Sequence, residues 1–528
     1  MVDLDGERAA LERARRAVDA KLAKLATVSG GGADALADEY IDFMVATTID
    51  KLRHELVVFG RIDDSEVWRV GLYGIDEGGE QLVVDWRAPF AGKFYQAAFD
   101  DPKGLDRRVS YVGCIDDLMV EDFVTGSVAG SSPLMAELSR SRGESMRAAV
   151  ATLQTEQDRL VRLDPTARLV LRGGPGTGKT VVGLHRAAWL VYNDNRVTGD
   201  RILVIGPSDK FLRFVAAVLP TLGEARIAQT TFERLLGPGS AGVDVGELLT
   251  ALDLVEAELY APAGFLIGTT RVREPEVDEL IERLRERSLP WRDRRKVFVE
   301  TLANRHHLKK GQVSTAVVKI FPTLNTKQAL AGLRRLGLDT TDGALVDEVR
   351  SRVEGVPARY AHVIVDEAQD MSELQLRAVM RRAQGVTLVG DDAQRSNPDG
   401  IGLSAAAEAL GVATEQMATA YRMSAEIADW LNQWAKRHQI EAVELDGIRP
   451  TGVAVTETGV SGLSGAEQRL RGQWANVAVI GHDDVWTHKG VEYDGVVVDS
   501  RNMAPAEVYL AASRAAHELV VVTSSLAA

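Results

Sequence analysis

From residue 4 the apolar positions fall seven apart, at Leu4, Leu11, Val18 and Leu25, with charged residues among their neighbours. That spacing predicts a long amphipathic helix over 4–27, stopped by Gly30-Gly31-Gly32. Leu36, Tyr40, Phe43, Thr47, Leu52 and Leu56 continue a second helical pattern. Residues 1–56 are therefore expected to form an antiparallel helical hairpin, which either packs on its own body or projects as a probe into a partner. From Val57 the period shortens. Residues 56–59, 68–73 and 81–86 are runs of strand type, with Gly78-Gly79 placed as a hairpin turn between the last two, so 57–130 reads as a β-rich region. Residues 131–163 return to helical spacing, and Leu169-Val170-Leu171 then rises as a strand into a glycine-rich loop.

Composition narrows the class. At 528 residues the chain has room for several cores, and 45 % hydrophobic with 26 % charged residues is ordinary globular usage. No run approaches the roughly 18–20 apolar residues of a membrane span, and the first ten residues, MVDLDGERAA, carry acids where a signal peptide needs basic and then apolar residues. A cytoplasmic protein is expected. The one cysteine, Cys114, permits neither an internal disulfide nor a cysteine metal cluster, and the nine histidines lack HExxH spacing. The net charge of −14 argues against a protein whose main task is to coat nucleic acid. Residues 271–310 are locally basic, and the ordinary reading of such a run is a solvated helical face.

The chemistry begins at Gly173-Gly174-Pro175-Gly176-Thr177-Gly178-Lys179-Thr180, which fits G-x-x-x-x-G-K-[ST] with a strand before it and a helical pattern, Val181 to Tyr192, after it. In such a loop backbone N–H groups wrap a phosphate at a helix N-terminus. Lys179 can neutralise β- and γ-phosphate charge, and the Thr180 hydroxyl can ligate Mg²⁺. Far downstream, the apolar run His362-Val363-Ile364-Val365 delivers Asp366 and Glu367 at a strand's C-terminal end, where open α/β sheets bind ligands. Asp366 is suited to the Mg²⁺ shell and Glu367 to taking a proton from an attacking water.

Together with further stretches these motifs resemble UvrD-like superfamily 1 helicases. Leu153-Gln154-Thr155-Glu156-Gln157 resembles the Q motif, Asp366 to Asp370 motif II, and Val389 to Gln394 motif III. Tyr421-Arg422 resembles motif IV, Lys489-Gly490-Val491-Glu492-Tyr493-Asp494 motif V, and Tyr509 to Ala515 motif VI. The resemblance implies an α/β fold of two RecA-like P-loop domains with ATP between them: 131–236 with 358–410 as the first, 411–528 as the second, and 237–357 as a helical insertion in the first. It implies that Gln157 contacts adenine, that Gln394 senses the γ-phosphate, and that Arg422 and Arg514 act as arginine fingers. Glu492 would lie at the ribose or its surroundings.

Within that superfamily the chain is most similar to the HelD-like ATPases that associate with bacterial RNA polymerase. Phe59-Gly60-Arg61-Ile62-Asp63, the run Val83 to Phe90 and Phe94-Tyr95 are similar to their N-terminal signature, and residues 173–190 to their phosphate-loop region. The implied partner is core RNA polymerase, entered through its primary and secondary channels by a monomer that touches displaced DNA or RNA only indirectly. The alternative is a DNA helicase or translocase acting in repair. Three departures disfavour it: Arg395 to Gly400 stands where helicases carry base-stacking aromatics, Ile205 to Lys210 lacks their threonine-rich pattern, and residues 423–488 leave no room for an accessory domain. One expectation concerns the chain itself. Val477 to Ile480 and Val485 to Thr487 read as parallel neighbouring strands, yet only four residues join them, too few for a parallel crossover. A break near 480–487 is expected, and the short glycine tip at 30–32 hints at another.

Overall fold

The computed structural model describes residues 3–25, 58–112, 114–132, 153–195, 197–224, 226–239, 243–287 and 289–523. The second arm of the hairpin, the glycine tip at 30–32 and most of the helical pattern at 131–152 lie outside them. The first arm is the helix Leu4–Leu25, and its leading turns lie on a sheet. Ala14 and Val18 are buried with Val58, Ile75, Val83, Val109 and Tyr111. The inward face departs from the seven-residue reading, because Leu4 is exposed while Glu7 is 1 % exposed. Glu7 goes in because partners await it: Arg69 donates to both carboxylate oxygens at 2.8 Å, Arg61 at 3.0 Å, and the Tyr111 hydroxyl also donates. Arg13 reaches Glu77 and Glu80 at 2.5 and 2.7 Å. For this stretch the self-packed arrangement holds.

The sheet beneath has seven strands, with Val58–Asp63 and Arg107–Val112 near its middle. All its pairs are antiparallel except Val67–Gly71 with Glu80–Asp85. Its other side does not close on itself. Phe59, Ile62, Trp86 and Phe94 share one core with Leu169, Leu171 and Val182 of the phosphate-loop region.

The central sheet is parallel, in the order Ala228–Thr230, Ile202–Ile205, Tyr360–Val365, Ala383–Gly390, Arg168–Gly173, Thr414–Met417. Burial on both faces explains the unbroken apolar runs. Leu169, Leu171, Val204 and Ile364 face the first core, and Val170, Leu203, Ile205 and Val365 face the other. The last strand pairs Met417 with Gly173, so the boundary expected at 410/411 moves beyond Met417.

Residues 243–353 pack the helices Val245–Ala257, Glu274–Arg285, Trp291–Arg305, Lys310–Ala316, Thr326–Arg335 and Gly343–Val353 around Trp291, Phe298 and Phe321. A small hairpin, Phe265–Ile267 with Thr270–Val272, joins them.

The C-terminal sheet is also parallel, in the order Thr456–Gly459, Ala515–Thr523, Tyr493–Asp499, Val477–Ile480. Here the expected break is overturned. Val485–His488 is a turn of 3-10 helix, not a strand, and the strand that pairs with Val477–Ile480 starts at Tyr493. The dozen residues 481–492 supply the crossover, tied by Val485 N–H to Gly481 O at 3.1 Å and Gly481 N–H to Asp484 Oδ1 at 2.9 Å. Among the described residues no helix is long and apolar enough to cross a membrane.

Candidate functional site

The buried strand Arg168–Gly173 ends where Gly173 opens the loop, and the helix Lys179–Asn193 begins at its far side. Gly176 and Gly178 adopt left-handed φ of 76° and 85°, which favours glycine. Close approach is a second reason: a Cβ on Gly178 would stand 2.6 Å from Gln157 Nε2, and one on Gly174 2.3 Å from Leu445 Cδ2. Pro175 completes the bend, and the buried Thr177 hydroxyl donates to Gly174 O at 2.9 Å. The Lys179 ammonium folds onto Gly174 O at 2.8 Å. Withdrawal from water lowers its proton affinity, against the pull of Asp391, Glu367 and Asp366.

Gln157 sits on the short helix Thr155–Val161, in a reciprocal capping box with Gln154. Its amide also donates to Thr177 O at 3.1 Å, which places it against the loop.

From the other side the fully buried strand Tyr360–Val365 ends at Asp366 and Glu367. The Thr180 hydroxyl donates to Asp366 Oδ2 at 2.6 Å. Burial, reinforced by Glu367 next door, pushes the Asp366 carboxyl up to about 6. Glu367 goes the other way: burial would raise it, but Lys489 and Lys179 outweigh that and hold it below the ordinary carboxylate value. Its φ of 54° is left-handed, stored strain of the kind that clusters at working sites. The Gln369 amide fixes its Oε2 at 2.6 Å.

The third contribution comes from the C-terminal sheet. Arg514 is buried, and its Nη2 donates to Gln394 Oε1 at 2.6 Å, while Gln394 Nε2 donates to Asp391 at 2.7 Å. Burial and then the neighbouring Arg422 lower its pKa to about 10. Arg422 stands over the loop: a Cβ on Gly176 would come within 3.0 Å of its Cβ, and Tyr421 N–H donates to Gly176 O at 3.0 Å. Arg422 also pairs with Glu492 and donates to Ser513 O at 2.8 Å. Glu492 is therefore committed to Arg422 here.

Sequence reasoning missed Lys489. It reaches across from the crossover 481–492 to Asp370 Oδ2 at 2.6 Å, Gln394 O at 2.9 Å and Glu367 Oε2 at 3.2 Å. The signal was present, a lysine before Gly490 within the motif read for Glu492. Nothing in the spacing said that it faces acceptors in the turns that follow two strands of the central sheet.

The residues fit a magnesium nucleotide. Thr180 and Asp366 supply hard oxygen donors, and Mg²⁺ characteristically takes one or two protein ligands with water and phosphate completing its shell. No group of three or more His, Cys, Asp or Glu among the described residues could hold a metal by itself. Lys179, Arg422 and Arg514 gather at the loop and the neighbouring strand ends, with Arg422 Nε buried and unpaired.

This fold and site define a class, a P-loop nucleoside triphosphate hydrolase of the helicase-like kind, and residues 157–398 match the family model described as AAA domain. Residues 3–117 match the model described as DNA helicase IV HelD, N-terminal domain. Together the two matches support a HelD-like protein of the UvrD-like superfamily 1 type. No curated protein matches it. Among solved structures it is similar to arterivirus nonstructural protein 10, a helicase, in complex with DNA. Identity is 10 % over 69 % of this chain and 62 % of that one, with a TM-score of 0.31. It is also similar to the PRRSV helicase, at 12 % identity over 69 % of this chain and 54 % of that one, with a TM-score of 0.28. The match thus spans less than two thirds of either helicase.

Proposed function

We propose that the protein is an ATPase that binds core RNA polymerase and releases it from nucleic acid, with ATP hydrolysed between two RecA-like domains. Gly173 to Thr180 hold the phosphates, Gln157 reads adenine, and Glu492 lies toward the ribose once Arg422 turns to the nucleotide. Glu367, kept ionised by Lys489 and Lys179, accepts the proton of the attacking water. Arg422 and Arg514 meet the charge that develops on the transferred phosphoryl group, and Gln394 couples that charge to Arg514. Thr180 and Asp366 would hold a Mg²⁺, which would supply further neutralisation of phosphate charge. The protein acts as a monomer in the cytoplasm.

One observation carries the polymerase reading: the HelD-type N-terminal region is bonded directly to the helix that bears Gln157. Thr155 donates to Tyr95 O at 2.8 Å, and Arg162 donates to Trp86 O and Ala88 O at 3.0 and 3.2 Å. Gln96 reaches Asp158 at 2.7 Å. A partner engaged by the N-terminal region would thus press on the nucleotide site. The test measures ATP turnover with core polymerase and with single-stranded DNA, alongside retention on immobilised polymerase. Retention with polymerase-dependent turnover supports the proposal. Strong stimulation by DNA without retention would replace it with a helicase.

A further inference from the structure

Arg422 and Arg514 come from separate segments of the C-terminal unit. Arg422 lies just before the helix Ala425–Arg437, and Arg514 lies between the helix Pro505–Ala512 and the strand Ala515–Thr523. Two guanidiniums converging on one nucleotide repel each other, so their segments need a fixed spacing. Arg449 lies between those segments. It is 6 % exposed, in the loop that follows the short strand Asp446–Gly447. Its Nη2 donates to Arg422 O at 3.1 Å and to Ala516 O at 2.5 Å, and its Nη1 to His517 Nδ1 at 2.6 Å. A guanidinium only donates, so His517 Nδ1 must be the bare nitrogen and its Nε2 carries the proton, facing Asp494 Oδ1 3.8 Å away. Trp474 stacks on the same imidazole at 4.7 Å between centroids and 8° between planes. The main chain completes the tie: Ser424 N–H donates to Ala516 O at 3.0 Å and Ala425 N–H to Arg449 O at 2.9 Å.

We propose that Arg449 is a positioning residue that clamps the Arg422 segment to the Arg514 segment, so that both guanidiniums reach the nucleotide as one unit. The proposal rests on the reading of those two arginines given above. Without the clamp, nucleotide still binds the loop of the central sheet, but the two cations no longer arrive in register. A misplacement of about 1 Å at a reacting centre costs on the order of a hundredfold in rate.

The experiment is steady-state ATP hydrolysis by the full chain carrying Arg449→Ala, Arg449→Lys or Arg514→Ala, with binding of a fluorescent ATP analogue measured in parallel. Arg449→Ala is expected to lower kcat by about ten- to a hundredfold, with KM and analogue affinity within about threefold of the parent. Arg449→Lys keeps the charge but cannot span both carbonyls and His517, so its kcat should fall between the two. If the alanine variant does not fold, the lysine variant decides alone. Parental kcat in a folded Arg449 variant, beside a slow Arg514→Ala, overturns the clamp and leaves the arginine reading intact. A parental rate in Arg514→Ala overturns the arginine reading itself. A double variant no slower than Arg514→Ala alone supports action through that arginine.

Discussion

On the proposed reading Lys179 and Glu367 serve the same nucleotide, yet their replacement should fail in different ways. Lys179→Ala removes charge from the phosphate cradle, so affinity for ATP should drop and turnover with it. Glu367→Gln keeps the size and the bond to Gln369 but cannot accept a proton. ATP should stay bound while hydrolysis slows by on the order of 10²–10³, read by single-turnover release of phosphate. A near-parental rate for the glutamine variant would remove Glu367 from the base role. Two buried histidines bear on stability instead. Burial, with Arg186 nearby, pushes His362 down to about 3, and burial lowers His185 to about 4. Both stay neutral in the fold while the unfolded chain takes up protons below 6.5. Stability should therefore fall as pH drops from about 6.5 towards 4.5, by about 1.4 kcal/mol per pH unit per histidine where the difference is full. His362→Asn should flatten that slope in melting curves recorded against pH. Nearly every residue around the phosphate was legible in the sequence, because loop and strand-end chemistry is local. Lys489 and Arg449 were not, because their partners are set by how the segments around them fold together.

Among the elements, the helix Thr155–Val161 shows most clearly what the sequence could and could not give. At 7 residues it is too short to stand alone. Its capping pair was visible as part of the Q motif, but its support was not. Arg186, fully buried on the phosphate-loop helix, donates to Val161 O, Leu163 O and Asp164 O at 3.1, 2.7 and 2.8 Å and to Thr387 at 3.2 Å. It holds the C-terminal end of the helix that presents Gln157. Arg186→Met should leave those carbonyls without their donor, at a cost of about 3 kcal/mol or more in unfolding free energy. It should also raise KM for ATP more than it lowers kcat, which denaturant melts and steady-state kinetics would separate. The misread strand at 485–487 has the opposite origin. Val485-Trp486-Thr487 has strand propensity, but the Asp484 side chain accepts from Gly481 N–H at 2.9 Å and the turn that follows is helical. Local side-chain bonding overrode propensity.

At the scale of the whole molecule, the leading helix decides how a probe can be tested. Removing residues 1–56 would uncover Val58, Ile75, Val83, Val109 and Tyr111 and leave Arg61 and Arg69 without Glu7. The sheet so exposed shares a core with the phosphate-loop region, so the full deletion should depress ATP turnover as well as the proposed polymerase binding. A shorter excision of 27–50, closed by a glycine-rich link, keeps the helix face that the sheet needs. It should hold basal turnover within about twofold while retention on core polymerase falls at least about tenfold. Unchanged retention would mean that 27–50 contributes nothing to polymerase binding. Glu7 reports on the docked helix independently. Burial opposes its ionisation, but hydrogen bonds from Arg69 and Tyr111 and the charges of Arg69 and Arg61 prevail and hold its carboxyl below the ordinary 4.5. Its contribution is therefore whole above that value and is lost as the pH falls through the lower value of the folded protein. Glu7→Gln should cost about 2 kcal/mol at neutral pH, and the gap to the parent should close in acid. A gap that stays constant down to pH 3 would place the cost in packing rather than in the carboxylate.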